Sequence, residues 1–151
     1  MTSEISTKSP FERAVHGAAA TVIMTIPLLA RWALQRDLPP PPLVVAENIQ
    51  RAAGLRPERH RPLFRHAVWV AAHLGFGSML TLAARAWPRG ATTPASARSF
   101  GLAAWFANYG IVLPSLGIYP ALTRDNSVRA IDSALSHLVY ATALRRLTAC
   151  R

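Results

Sequence analysis

A single cysteine, Cys150, and only seven acidic residues leave two kinds of chemistry almost without material. One thiol cannot close an intrachain disulfide or assemble a thiolate metal cluster. Apart from Asp132, the acidic residues lie outside the apolar stretches, so no paired-carboxylate site and no helical Glu-x-x-His ligand motif can be drawn inside them. A nucleophile elbow, a glycine loop that could cradle phosphate and a metal-hydrolase helix are also missing. The chain therefore reads as a protein without a catalytic centre. Catalysis would have to fall to Glu47, Glu58 or the histidines of the apolar blocks. Charged residues are scarce as well, at 16% against 51% hydrophobic, and they are not interleaved with apolar positions as on a soluble amphipathic helix.

What is abundant is arginine, and its placement is more informative than the net charge of +10. Arg56, Arg59, Arg61 and Arg65 precede one apolar block, Arg85 and Arg89 follow it, and Arg145 and Arg146 follow another. Cations at the ends of apolar blocks meet lipid headgroups, so Arg56, Arg59, Arg61, Arg65, Arg85, Arg145 and Arg146 read as anchors that favour anionic lipid. A nucleic-acid partner would need a soluble basic face with aromatic platforms, and no such face is found.

The blocks predict an all-α, integral membrane four-helix bundle, with a polar N-terminal tail over residues 1–13 and one membrane domain over 14–151. Spans are expected at about 14–34, 66–87, 100–122 and 130–147, because roughly 20 helical residues cross a hydrocarbon core of about 30 Å. The first block lacks a convincing small-residue cleavage site and is expected to stay in the mature chain. Pro27 should kink it. The third carries Asn108, Gly110 and Pro114 and should bend near its end. The fourth is the shortest and contains Asp132, so its ends must rely on snorkelling arginines.

The long connection after the first block predicts a stiff polyproline segment over Pro39–Pro42 and then a short amphipathic helix. Val45, Ile49, Ala52 and Ala53 share one face of that helix, with Glu47, Gln50 and Arg51 elsewhere and Gly54 as its stop. Two placements fit: on the membrane surface or against a partner, or folded back on the bundle.

An internal echo organises the whole. "AAHLGFGSML" at 71–80 returns as "LSHLVYATAL" at 135–144. Two parallel helical-hairpin repeats follow, related by an axis near the membrane normal, with His73 and His137 at similar depth near the proline-rich loop. His73, Gly77, Thr81 and Arg85 form one row at helical spacing, and Ser133, His137, Ala141 and Arg145 another. Gly17, Thr21 and Thr25 form a similar row on the first helix. Small residues permit close approach, so Gly17, Thr21, Thr25, Gly77, Thr81 and Ala141 are read as helix-packing positions.

Three roles fit the paired histidines. They can stitch helices together by hydrogen bonds. With Asn108, they can line a proton or ion path, which would make the protein a small transporter. Or they can ligate a haem or metal, for which no third ligand is at hand. No cofactor is expected from the first two.

The segments "GAAATVIMT", "LPPPPLVVAENIQRAAGL", "AAHLGFGSML" and "SHLVYATAL", spread over residues 14–144, resemble the YagU-like group of small bacterial inner-membrane proteins. That resemblance implies a multi-pass membrane protein and brings no catalytic residues with it. The resulting expectation is a scaffold, assembly factor or accessory subunit of the bacterial inner membrane, partnered by the bilayer and by another membrane protein or a second copy. Lys and Arg divide eight to nine between the two faces, which leaves orientation to the dense "RPERHRPLFR" run and favours a cytoplasmic proline-rich loop.

Overall fold

A computed structural model describes residues 9–34, 39–57 and 62–149. Among these residues the chain is helical and forms no strand. α1 (Pro10–Leu34) leads to α2 (Pro41–Ala52) and α3 (Pro62–Ala86). A 3-10 turn (Pro88–Ala91) then enters α4 (Pro94–Trp105), which runs on through a π-helical stretch (Phe106–Val112) into α5 (Leu113–Ser115). α6 (Ser127–Ala149) closes the fold.

Local chemistry explains the boundaries. α1 starts four residues before its apolar block because Ser9 and Glu12 form a capping box: Glu12 N–H donates to Ser9 Oγ at 3.2 Å and Ser9 N–H to Glu12 Oε2 at 2.6 Å. The helix thus begins inside the stretch expected as a polar tail. α1 runs through Pro27 without a break. α4 begins at Pro94 under a Thr93 cap, and α6 at Ser127, where Asn126 Oδ1 accepts from Val128 and Arg129 N–H.

Two glycines end helices. Gly54 (φ 77°) and Gly117 (φ 67°) both sit in the left-handed region. At Gly54, Gly54 N–H bonds Arg51 O and Leu55 N–H bonds Gln50 O; at Gly117, Gly117 N–H bonds Pro114 O and Ile118 N–H bonds Leu113 O. Both are Schellman closures. The second one corrects the third block: its helix covers 94–115 and stops there, and the expected stretch to residue 122 is a loop that folds back.

The proline run is also corrected. Pro40 is extended and caps the helix; Pro41 and Pro42 are already the first turn of α2, a place where a missing N–H costs nothing. α2 is folded onto the bundle. Arg65 of α3 pairs with Glu47, and Asn48 Nδ2 donates to Ile118 O at 2.7 Å. These two polar ties set the rotation of α2, so Ala46 and Gln50 are buried while Ile49, Ala52 and Ala53 are exposed. The expected apolar face is thus turned partly outward.

α1 packs against both α3 and α6, α4 packs against α6, and α3 and α4 each pack on the 3-10 turn between them. α1 and α3 are long and apolar enough to cross a membrane, each with mean hydropathy 1.5 over an 18-residue window. Only 28% and 22% of those windows are buried inside the protein, whereas the core helix of a soluble protein would be mostly covered. Among the described residues, the other long helices do not reach that apolarity. Two core clusters result. One joins Ala20, Met24, Phe100, Tyr140 and Leu144, and the other joins Tyr109, Leu113, Tyr119 and Ala130 beneath α2.

Candidate functional site

The two clusters do not meet. Between them lies a cavity of about 440 Å³, with Met24 and Leu28 from α1, Val45 and Ile49 from α2, and Phe76 and Met79 from α3 on its apolar wall. Its polar wall holds His73, Asn108, Ser133, Ser136 and His137. All three candidate polar residues, His73, His137 and Asn108, therefore face one space, contributed by α3, α6 and the π-helical stretch.

Backbone proximity positions them. α1 and α3 cross where both present glycine: a Cβ on Gly17 would stand 2.7 Å from the Gly77 carbonyl, and one on Gly77 would land on Thr21. Gly101 of α4 makes the matching approach to α6, since its Cβ would stand 2.7 Å from the His137 carbonyl and 3.0 Å from Ala141 Cβ. Gly17, Thr21, Gly77 and Ala141 thus lie at helix crossings. Thr81 Oγ1 lies 3.2 Å from the Gly77 carbonyl and 3.2 Å from Tyr140 Oη. Gly101 and Tyr140 were not singled out from the sequence. Ala97 and Ala104, four residues before and three after Gly101, mark a small-residue face that could have pointed to it.

Hydrogen bonds fix the protonation pattern of both rings. Thr25 Oγ1 donates its one proton to Thr21 O at 2.7 Å, so at 3.0 Å from His73 Nε2 it can only accept. Nε2 of His73 therefore carries a proton. His137 Nδ1 lies 2.8 Å from Ser133 O, a group that only accepts, so its proton is on Nδ1. His137 Nε2 is left buried with no hydrogen-bond partner among the described residues. Trp69, one turn before His73, stacks on it at 5.9 Å and 15°.

The π-helical stretch supplies Asn108, whose carbonyl accepts from Leu113 N–H five residues on. Such widened turns break helical register and recur at functional sites. Here it lets α4 pack Phe100 and Gly101 on α6 while Tyr109 and Leu113 turn toward α2 and the returning loop. That loop is held by Asp125, which accepts from Tyr109 Oη and from Arg129 Nε at 2.9 Å, with Arg129 5.5 Å over the Tyr119 ring. Burial pushes the Asp125 carboxyl up, but the Arg129 guanidinium and the Tyr109 hydroxyl outweigh it and hold the group below its ordinary range.

The remaining assigned residues lie away from the cavity. Arg65 is tied to Glu47; Arg56, Arg85 and Arg146 are exposed and Arg145 is half-buried. Arg59 and Arg61 lie outside the described residues. Arg31 and Asp132 form an ion pair of 2.5 Å between α1 and α6 that the spacing of neither helix foretold. Among the described residues, no three His, Cys, Asp or Glu side chains gather as a metal would require. Comparison with protein-family models, with curated proteins and with solved structures finds none that matches this chain.

Proposed function

We propose that the chain is a multi-pass helical bundle of a bacterial inner membrane that acts without catalysis, as a scaffold, assembly factor or accessory subunit. One observation carries the reading. The long helices turn large apolar side chains outward, among them Val22 and Ile26 on α1, Met79 and Leu82 on α3, Phe106 and Ile111 past α4, and Ile131 and Leu135 on α6. Thr21, His73, Thr81, Ser133, Ser136, His137 and Tyr140 are buried on the inner faces of the same helices, the inverse of what water selects. α1 packs on α3 and α4 on α6, as two hairpins require, while the equally close α1–α6 packing has no α3–α4 counterpart among the described residues and departs from a strict two-fold arrangement. It is also the kind of protein that the resemblance to the YagU-like group implies.

Extraction in mild detergent followed by native mass measurement tests this. A stable hetero-complex is the expected result. Recovery of the chain in the supernatant without detergent, or as a bare monomer, overturns it. A second reading, a small transporter, is favoured by the convergence of His73, His137 and Asn108 on one cavity. Vesicles carrying the protein and showing no pH-dependent flux remove it.

A further inference from the structure

We infer that the cavity between His73 and His137 binds an uncharged, lipid-soluble molecule bearing a hydroxyl group, which donates to His137 Nε2 while its apolar body lies along Met24, Leu28, Phe76 and Met79. This rests on the membrane placement above and adds a ligand to it.

Three observations select that chemistry. First, the Ser133 carbonyl fixes the proton of His137 on Nδ1, so the neutral ring offers Nε2 as an acceptor only. His137 is just 7% exposed and Nε2 has no partner among the described residues, so the group it lacks is a donor. Second, the cavity measures about 440 Å³ and most of its wall is apolar, which fits a hydrocarbon or ring body with few polar atoms. Third, no Lys, Arg, Asp or Glu lines it. The guanidiniums of Arg31, Arg65 and Arg129 are paired with Asp132, Glu47 and Asp125. A carboxylate, a phosphate headgroup or the propionates of a haem would sit there without a counter-charge, as would a cation between neutral imidazoles. His73 adds orientation: its Nε2 proton goes to Thr25, which leaves Nδ1 as a second acceptor on the same wall, with the Asn108 amide nearby.

The test uses the full chain in lipid nanodiscs, with insertion scored beforehand by co-sedimentation, and two probes: tritiated 1-dodecanol and its methyl ether, which has the same chain and no donor. The expected result is saturable binding of the alcohol, with the ether at least tenfold weaker. His137→Phe keeps the ring and deletes the acceptor, so the preference for the alcohol should disappear. Gly75 lines the cavity and has nothing within 4 Å of where a Cβ would stand, so a side chain can start into the space there, and Gly75→Leu should abolish binding of both probes. Should His137→Phe fail to fold, the Gly75 variant decides alone. Equal binding of alcohol and ether, or alcohol binding unchanged in Gly75→Leu, overturns the inference and leaves the membrane reading standing. A chain that does not insert overturns the membrane reading itself, and the inference with it.

Discussion

Tyr140 donates its hydroxyl to the Gly77 carbonyl across 2.5 Å, so α6 is bonded to the very residue at which α1 and α3 touch. Three helices share that point. Tyr140→Phe removes the donor and keeps the ring. Gly77 O retains Thr81, so the loss should be modest, about 1 kcal/mol. Equilibrium unfolding in mixed micelles measures it, and no change in stability would mean that the contact is not formed.

Two glycines of α3, two residues apart, should respond in opposite directions. A side chain at Gly77 collides with Thr21, so Gly77→Val should destabilise by about 3 kcal/mol, the upper range for overpacking. Gly75 has open space around it, and Gly75→Ala should be neutral or stabilise by about 0.5–1 kcal/mol through helix propensity alone. Thermal unfolding of the pair side by side checks the contrast. A destabilised Gly75→Ala would show that the space is already filled.

Asp125 gives the fold a dependence on acid. Its side chain carries no exposed surface, and its carboxyl is held below its ordinary value of 3.8. A depressed native value means that the unfolded chain binds the proton more readily. The stabilisation is therefore complete above about pH 4 and is lost as pH falls below 3.8 toward the native value. Stability measured against pH should drop in that window for the native chain and stay level for Asp125→Asn, which should already be weaker at pH 7. Parallel curves for the two proteins would remove Asp125 from the account.

These contacts divide into those that periodicity announces and those that only folding creates. The rows Gly17–Thr21–Thr25 and His73–Gly77–Thr81 lie at helical spacing, and small residues so arranged have few uses other than close packing. They were legible for that reason. His73 and His137 line one cavity, and each heads or continues such a row on its own helix. The rotation of α2 was not legible, because Glu47 and Asn48 find their partners in Arg65 and Ile118, 18 and 70 residues away, and these override the pattern of Val45 and Ile49. The π-helical stretch around Asn108 was hidden as well. No residue type marks a widened turn, which arises where one helix must face two neighbours out of register.

The Arg31–Asp132 pair offers a test of the membrane placement that needs no ligand. Asp132 is 18% exposed and Arg31 42%, and both lie near helix ends, in the last turn of α1 and early in α6. In water such a pair contributes about 0–1 kcal/mol, and the two single substitutions should cost the same small amount. In a bilayer the two deletions are unequal. Arg31 left alone can carry its charge to the headgroups on a long apolar stem, whereas Asp132, with one methylene, cannot reach them and stays an unpaired carboxylate in a poorly hydrated place. Arg31→Gln should therefore cost more than Asp132→Asn. The double variant should recover part of the loss, with a coupling energy above about 1 kcal/mol in a double-mutant cycle. Equal and small effects, with no coupling, would put this end of α1 and α6 in water.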